Sequence, residues 1–183
     1  MNDNSEIATF ANGCFWCSEA IFKRLRGVKS VLPGYSGGTV KNPSYDQVCT
    51  GETGHAESIQ IEFDPKVIPF EKILDIFWHT HDPTTLNRQG NDVGTQYRSA
   101  IFYHNQKQKE IAEKSKRDLE KDGVYKDSIV TEITPFREFY VAEDYHKNYY
   151  DNHQDAPYCN FIIDPKVRKL LMKYGNHVKE EYQ

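Results

Sequence analysis

Apolar and polar positions alternate along this chain in two periods, and the switch from one to the other marks the elements. Ile7-Ala8-Thr9-Phe10-Ala11 is a short apolar run of strand length, and Ser18 to Leu25 carries apolar residues at helical spacing until Gly27 stops it. Val28 to Gly38 is extended and runs into a glycine-rich turn. In Glu57-Ser58-Ile59-Gln60-Ile61-Glu62-Phe63, Ile59, Ile61 and Phe63 share one face, the pattern of a half-buried strand closed by Asp64-Pro65. Ile68 to Trp78 opens with Pro69 and spaces Phe70, Ile73, Leu74 and Phe77 as one face of an amphipathic helix. Ser99 to Tyr103 is a short buried strand, Gln106 to Lys121 a helix of strong helix formers ending at Gly123, and Ile129 to Ile133 a further strand. A short aromatic helix within Asp144 to Asp151, an irregular stretch Asn152 to Pro157 and a last helix from Pro165 to Tyr174 complete the chain.

Two stretches lack either period. Thr39 to His55 and His79 to Arg98 are polar and rich in turn residues, and loops of this length in a compact chain tend to carry function. The order β, α, β, β, α, β predicts an α/β chain of the α+β two-layer sandwich type, with a mixed or antiparallel sheet.

Composition narrows the function classes. A chain of 183 residues, 38% hydrophobic and 13% aromatic, can bury one good core and is short for two, so a single catalytic domain over residues 1–183 is expected. The formal net charge is -4, and the lysine-rich stretches Lys107–Lys121 and Lys166–Lys179 are interrupted by acids, which argues against a nucleic-acid surface. No apolar run approaches the ~18 residues a membrane span needs, and no signal segment opens the chain, so a cytoplasmic protein is expected. In that compartment the four cysteines, Cys14, Cys17, Cys49 and Cys159, read as catalytic or metal-binding sooner than as structural disulfides.

Gly13-Cys14-Phe15-Trp16-Cys17 holds the chemistry with the most physical support. It joins the first strand to the first helix, so Cys14 meets the free N–H groups and positive dipole end of a helix start, and its thiol is expected below the free-cysteine range. Phe15 and Trp16 can wall the sulfur with apolar surface, although alone they read equally well as core residues and Cys14 as a buried thiol. Glu57, directly after Gly54-His55-Ala56, is either an ordinary strand-end glutamate or a carboxyl turned into a cavity, where desolvation would keep its proton near neutral pH. Tyr45, Tyr97 and Asp92 sit in the two polar loops as candidate donors and positioning groups, against the plainer alternatives of packing phenols and turn chemistry. Cys14-x-x-Cys17 is also half a zinc site, but no second pair follows at finger spacing, and no metal is expected. A thioredoxin-like dithiol is the other rival, and it leaves Glu57 and the loops unexplained.

Gly13-Cys14-Phe15-Trp16, Gly54-His55-Ala56-Glu57 and Gly90-Asn91-Asp92-Val93-Gly94-Thr95-Gln96-Tyr97-Arg98-Ser99 together resemble the peptide methionine sulfoxide reductase A family, from about Ile7 to Cys159. The resemblance implies a ferredoxin-like mixed β-sheet with flanking helices and long coil segments, and reduction of methionine S-sulfoxide, free or in proteins. It implies that Cys14 attacks the sulfoxide sulfur and becomes a sulfenic acid. Glu57 would protonate the oxygen with Tyr45 and Tyr97 donating to it, Phe15 and Trp16 would hold the methyl group, and Asp92 would help position the substrate. The tyrosine before Cys159 matches the family's first resolving cysteine, so Cys159 on a mobile segment is the first expectation and Cys17 the alternative. Cys49 is expected to stay a buried thiol. Many relatives lack a cysteine at the position of Cys17 and carry one beyond the position of Cys159; this chain has the first and lacks the second. A monomer needing no cofactor, with thioredoxin or dithiols reducing its Cys14 disulfide directly, is the resulting expectation.

Overall fold

The computed structural model describes residues 4–183, so the first three positions of the expected 1–183 unit lie outside the described residues. Eight strands are present among them: β1 (Glu6–Asn12), β2 (Val28–Ser36), β3 (Ala56–Phe63), β4 (Arg88–Gln89), β5 (Asp92–Val93), β6 (Ser99–Tyr103), β7 (Glu132–Pro135) and β8 (Phe139–Val141). The helices are α1 (Phe15–Phe22), α2 (Tyr45–Cys49), α3 (Phe70–Thr80), α4 (Gln106–Lys121), α5 (Tyr149–Asn152) and α6 (Asp164–Tyr174).

Six strands form one mixed sheet in the order β7-β6-β1-β3-β2-β8. All neighbours are antiparallel except β6 and β7. The inner four, β6-β1-β3-β2, with α1 and α3 as the crossovers, are the split βαβ arrangement of a ferredoxin-like core. Period-2 alternation in the strands decides what each face carries. Phe10, Ile59, Ile61 and Ile101 join Ile21, Phe22, Ile73, Phe77 and Leu170 of the helices in the main core. The alternate positions Ala11, Ala56, Ala100 and Phe102 form a separate small cluster with Phe136. Glu57 has the parity of Ile59 and Ile61 and therefore points to the core side.

Several elements depart from the sequence pattern. The polar stretch Thr39–His55 contains α2, whose start is a capping box: the Gln47 N–H donates to Ser44 Oγ (3.3 Å) and the Ser44 N–H donates to Gln47 Oε1 (2.9 Å). The strand expected over Ile129–Ile133 lies at Glu132–Pro135 instead, because parallel pairing of Ala100 with Glu132 and Tyr103 with Pro135 sets its register. β8 was not expected at all; its three residues are strand only because β2 offers an edge. In the C-terminal segment, Cys159–Ile163 is a turn of π-helix leading straight into α6. Cys159 is therefore fully buried on a helical turn. Cys49, expected to be buried, is exposed at the end of α2.

Candidate active site

Gly13 makes the turn from β1 into α1 with φ of +97°, and a Cβ there would come within 2.6 Å of Gln89 Cγ, so the turn needs glycine for both conformation and space. Gln89 cannot step aside freely, since its amide bonds to both the N–H and the C=O of Asp82. The turn delivers Cys14 to the N-cap of α1 and Phe15 to its first helical position.

The free N–H of Phe15 is not taken by the sulfur. It donates to Glu57 Oε2 (3.0 Å), reaching across from α1 to the start of β3. The N–H expected to favour a Cys14 thiolate is therefore engaged by the Glu57 carboxyl. Burial pushes this thiol well above the usual cysteine range, with the neighbouring Cys17 and Glu57 adding to the rise. Cys17 moves the other way, down to about 7, because the Cys14 thiol hydrogen-bonds it and Lys166 and Tyr158 stand by. Glu57, only 2% exposed, rises to about 8: burial is the main cause, opposed by the Phe15 N–H and assisted by the charge of Asp92. A carboxylic acid held next to a thiol thus keeps its proton at neutral pH.

A small hollow of about 50 Å³ opens over these groups, lined by Cys14, Phe15, Trp16, Tyr45, Glu57, Asp92, Tyr97 and Tyr158. All seven residues expected to surround the reacting group therefore share it, although they come from α1, α2, β3, β5 and the turn before β6. Tyr45 heads α2, placed by the Ser44 cap and by its own N–H donating to Glu143 Oε1 (2.8 Å). Asp92 stands on the β4–β5 hairpin and accepts from the Tyr158 hydroxyl at 2.7 Å. Burial pushes the Tyr45, Tyr97 and Tyr158 phenols far above the usual range, so all three stay protonated donors.

Tyr158 was met in the sequence only as the landmark before Cys159, and its place in the hollow was missed. His146 and Glu143 were missed as well. The Trp16 indole N–H donates to His146 Nδ1 (3.0 Å), and Tyr149 stacks on the same indole at 3.7 Å. His146, fully buried, also packs against Phe15 and Tyr45. Glu143, which accepts from Tyr35 (2.8 Å), lies 3.4 Å from His146 Nε2. The available signal was Glu143 and His146 three apart in an aromatic run, too common a pattern to single out. Below the hollow, Cys14, Cys17 and Cys159 share one apolar cluster with Ala20, Ile163 and Val167; burial raises the Cys159 thiol.

Thiols beside a protonated acid, with phenol donors and an aromatic wall, define a thiol-based oxidoreductase for a small apolar group that carries an oxygen. Comparison with known proteins makes this specific. The sequence profile described as peptide methionine sulfoxide reductase matches residues 6–179. The peptide methionine sulfoxide reductase MsrA of Sulfolobus acidocaldarius is 57% identical over 169 residues, covering 92% of this chain and 95% of the relative. Among solved structures, Mxr1 from Saccharomyces cerevisiae in reduced form superposes with a TM-score of 0.80 at 34% identity, over 87% of this chain and 91% of the other. Mxr1 in complex with Trx2 matches with a TM-score of 0.58 at 26% identity, over 81% and 87% of the two chains. The chain belongs to the peptide methionine sulfoxide reductase family, as an MsrA enzyme that reduces methionine sulfoxide.

Proposed function

We propose that the chain reduces the S epimer of methionine sulfoxide, free or in proteins, through a sulfenic acid on Cys14 and an intramolecular disulfide. The observation that carries this reading is the protonated Glu57 in the same small hollow as the Cys14 sulfur. A sulfoxide oxygen is a poor leaving group until it is protonated, and Glu57 with the Tyr45 and Tyr97 hydroxyls supplies a proton and hydrogen bonds to it. Phe15 and Trp16 take the methyl group. Fixed donors for the oxygen and an apolar contact for the methyl group fit one epimer of a chiral sulfur and not its mirror image, and Asp92, held by the Tyr158 hydroxyl, helps position the substrate. Cys14 Sγ attacks the sulfoxide sulfur; the oxygen, with one proton, passes to Cys14, the S–O bond of the substrate breaks, and the thioether leaves reduced by two electrons. The Cys14 proton returns to Glu57, so no cofactor is required.

Two thiols can then close the disulfide. The geometry favours Cys17, which shares the first turn of α1 with Cys14 and is the more acidic, over Cys159, buried on the segment leading into α6. Thioredoxin is the proposed reductant, supported by the likeness to Mxr1, a protein crystallised with Trx2. A single turnover with one equivalent of peptide methionine sulfoxide tests the scheme. The expected results are one methionine per site from the wild-type chain and from Cys17→Ser, none from Cys14→Ser, and a Cys14–Cys17 disulfide by mass mapping. A Cys17→Ser chain that releases no methionine overturns the reading.

A further inference from the structure

The hollow over Cys14 holds about 50 Å³, room for the end of one side chain, so the rest of a peptide substrate lies outside it. A second hollow, of about 460 Å³ and open to solvent, adjoins the first. Asp92 and Tyr158 line both, and the hydrogen bond from the Tyr158 hydroxyl to Asp92 Oδ2 (2.7 Å) is the partition between them.

Phe161, Ile162 and Pro165 give the second hollow its apolar wall. They come from the turn of π-helix at Cys159–Ile163 and the start of α6. Cys159 and Ile163 are buried in the apolar cluster beneath the site, which pins the turn, while Phe161 between them is left 77% exposed. Turns of π-helix are rare and recur at functional sites. A large ring held in water on a fixed support is stabilised when an apolar group covers it. The charged residues lining this hollow are Asp92 and Lys166, one of each sign, so it has no net charge with which to select an ionic group.

We propose that the second hollow is a subsite for an apolar side chain close to the oxidised methionine in a polypeptide substrate, with Phe161 as its specificity-determining residue. This rests on the methionine sulfoxide reading above and deepens it. With the sulfoxide on Glu57, Tyr45 and Tyr97 and the stem of the side chain beside Asp92, the substrate backbone emerges at the partition. Residues of an extended chain advance by about 3.3 Å each, so a side chain one or two positions from the methionine reaches Phe161. Free methionine sulfoxide has no such neighbour and leaves the subsite unused.

The test compares N-acetyl methionine S-sulfoxide amide with pentapeptide sulfoxides carrying leucine or serine on both sides of the methionine, using dithiothreitol as reductant. Wild-type, Phe161→Leu and Phe161→Ser chains are measured. For the wild-type chain kcat/KM is expected to be about tenfold higher with the leucine peptide than with the serine peptide, through KM at nearly constant kcat, the discrimination an apolar pocket offers. Phe161→Leu is expected to keep most of this preference. Phe161→Ser is expected to lose it while reducing the capped amino acid as the wild type does. A wild-type chain that treats the two peptides alike, or a Phe161→Ser chain that still prefers leucine, overturns the proposal. So does a Phe161→Ser chain that keeps the peptide preference but turns over slowly with thioredoxin, which gives the surface to the reductant. A wild-type chain that fails to reduce the capped amino acid instead defeats the sulfoxide reading itself.

Discussion

The two ends of β3 are built alike and do opposite work. Glu57 and Ile61 lie on one face of one strand, are 2% and 0% exposed, and each pairs in register with β2, at Tyr35 and Val31. Ile61 packs into the main core with Phe10, Phe22 and Phe77, where every apolar atom withdrawn from water stabilises the fold. Glu57 is withdrawn from water as completely, yet its side chain must keep a proton to be there. A site of this kind is a core position with one side chain exchanged: the packing supplies the dryness, and the dryness supplies the chemistry.

The sign of the pH effect separates the two ends. The folded-state value for Glu57 is about 8 against the ordinary 4.5, so between those values the folded chain holds a proton here that the unfolded chain has lost. The contribution of this group to stability is complete below the ordinary carboxylate range, declines as pH rises through the window, and is gone above about 8. Ile61 has no such dependence.

Substitutions at the two ends should therefore move activity and stability in opposite directions. The largest effect is expected for Glu57→Gln, with kcat/KM reduced by about 10²–10⁴-fold as the proton donor is lost. Its midpoint of thermal unfolding at neutral pH should rise, because the amide still accepts from the Phe15 N–H and carries no charge to bury. A Glu57→Gln chain as active as the wild type would end the comparison. Ile61→Ala is expected to cost about 2–5 kcal/mol in denaturant titration, while kcat per folded molecule changes by less than about twofold. The wild-type pH–rate profile for methionine release should fall as pH rises through about 8, where Glu57 loses its proton; an alkaline limb that persists unchanged in Glu57→Gln would assign it elsewhere. The smallest effect is expected for Ser44→Ala, which removes the cap of α2 beneath Tyr45. A stability loss of about 1 kcal/mol should appear, with KM for the sulfoxide raised and kcat nearly constant.

The same contrast shows which parts could be read without coordinates. Strands such as β3 and amphipathic helices such as α3 follow from periodicity, because burial of one face leaves a repeat in the sequence. The short elements do not: β8 exists because β2 has an edge to pair, and α2 hides in a polar loop behind a four-residue capping box. Within the site, Cys14, Phe15, Trp16 and Glu57 could be picked out because they belong to compact motifs. Tyr158 and His146 could not, since their roles depend on contacts with Asp92 and Trp16, 66 and 130 residues away in the chain.

The sequence by itself determined the order of elements, the glycine turn that sets Cys14 at a helix start, the candidate acid and the number of thiols available to it. Only the tertiary structure decided what surrounds each thiol. Helix position alone favours a Cys14 thiolate, but Glu57 takes the Phe15 N–H, burial raises the Cys14 thiol, and Tyr158 and Cys159 arrive at the site from the far end of the chain. Charge stabilisation is a property of everything packed within a few ångströms of an atom, and no local stretch of sequence contains that list.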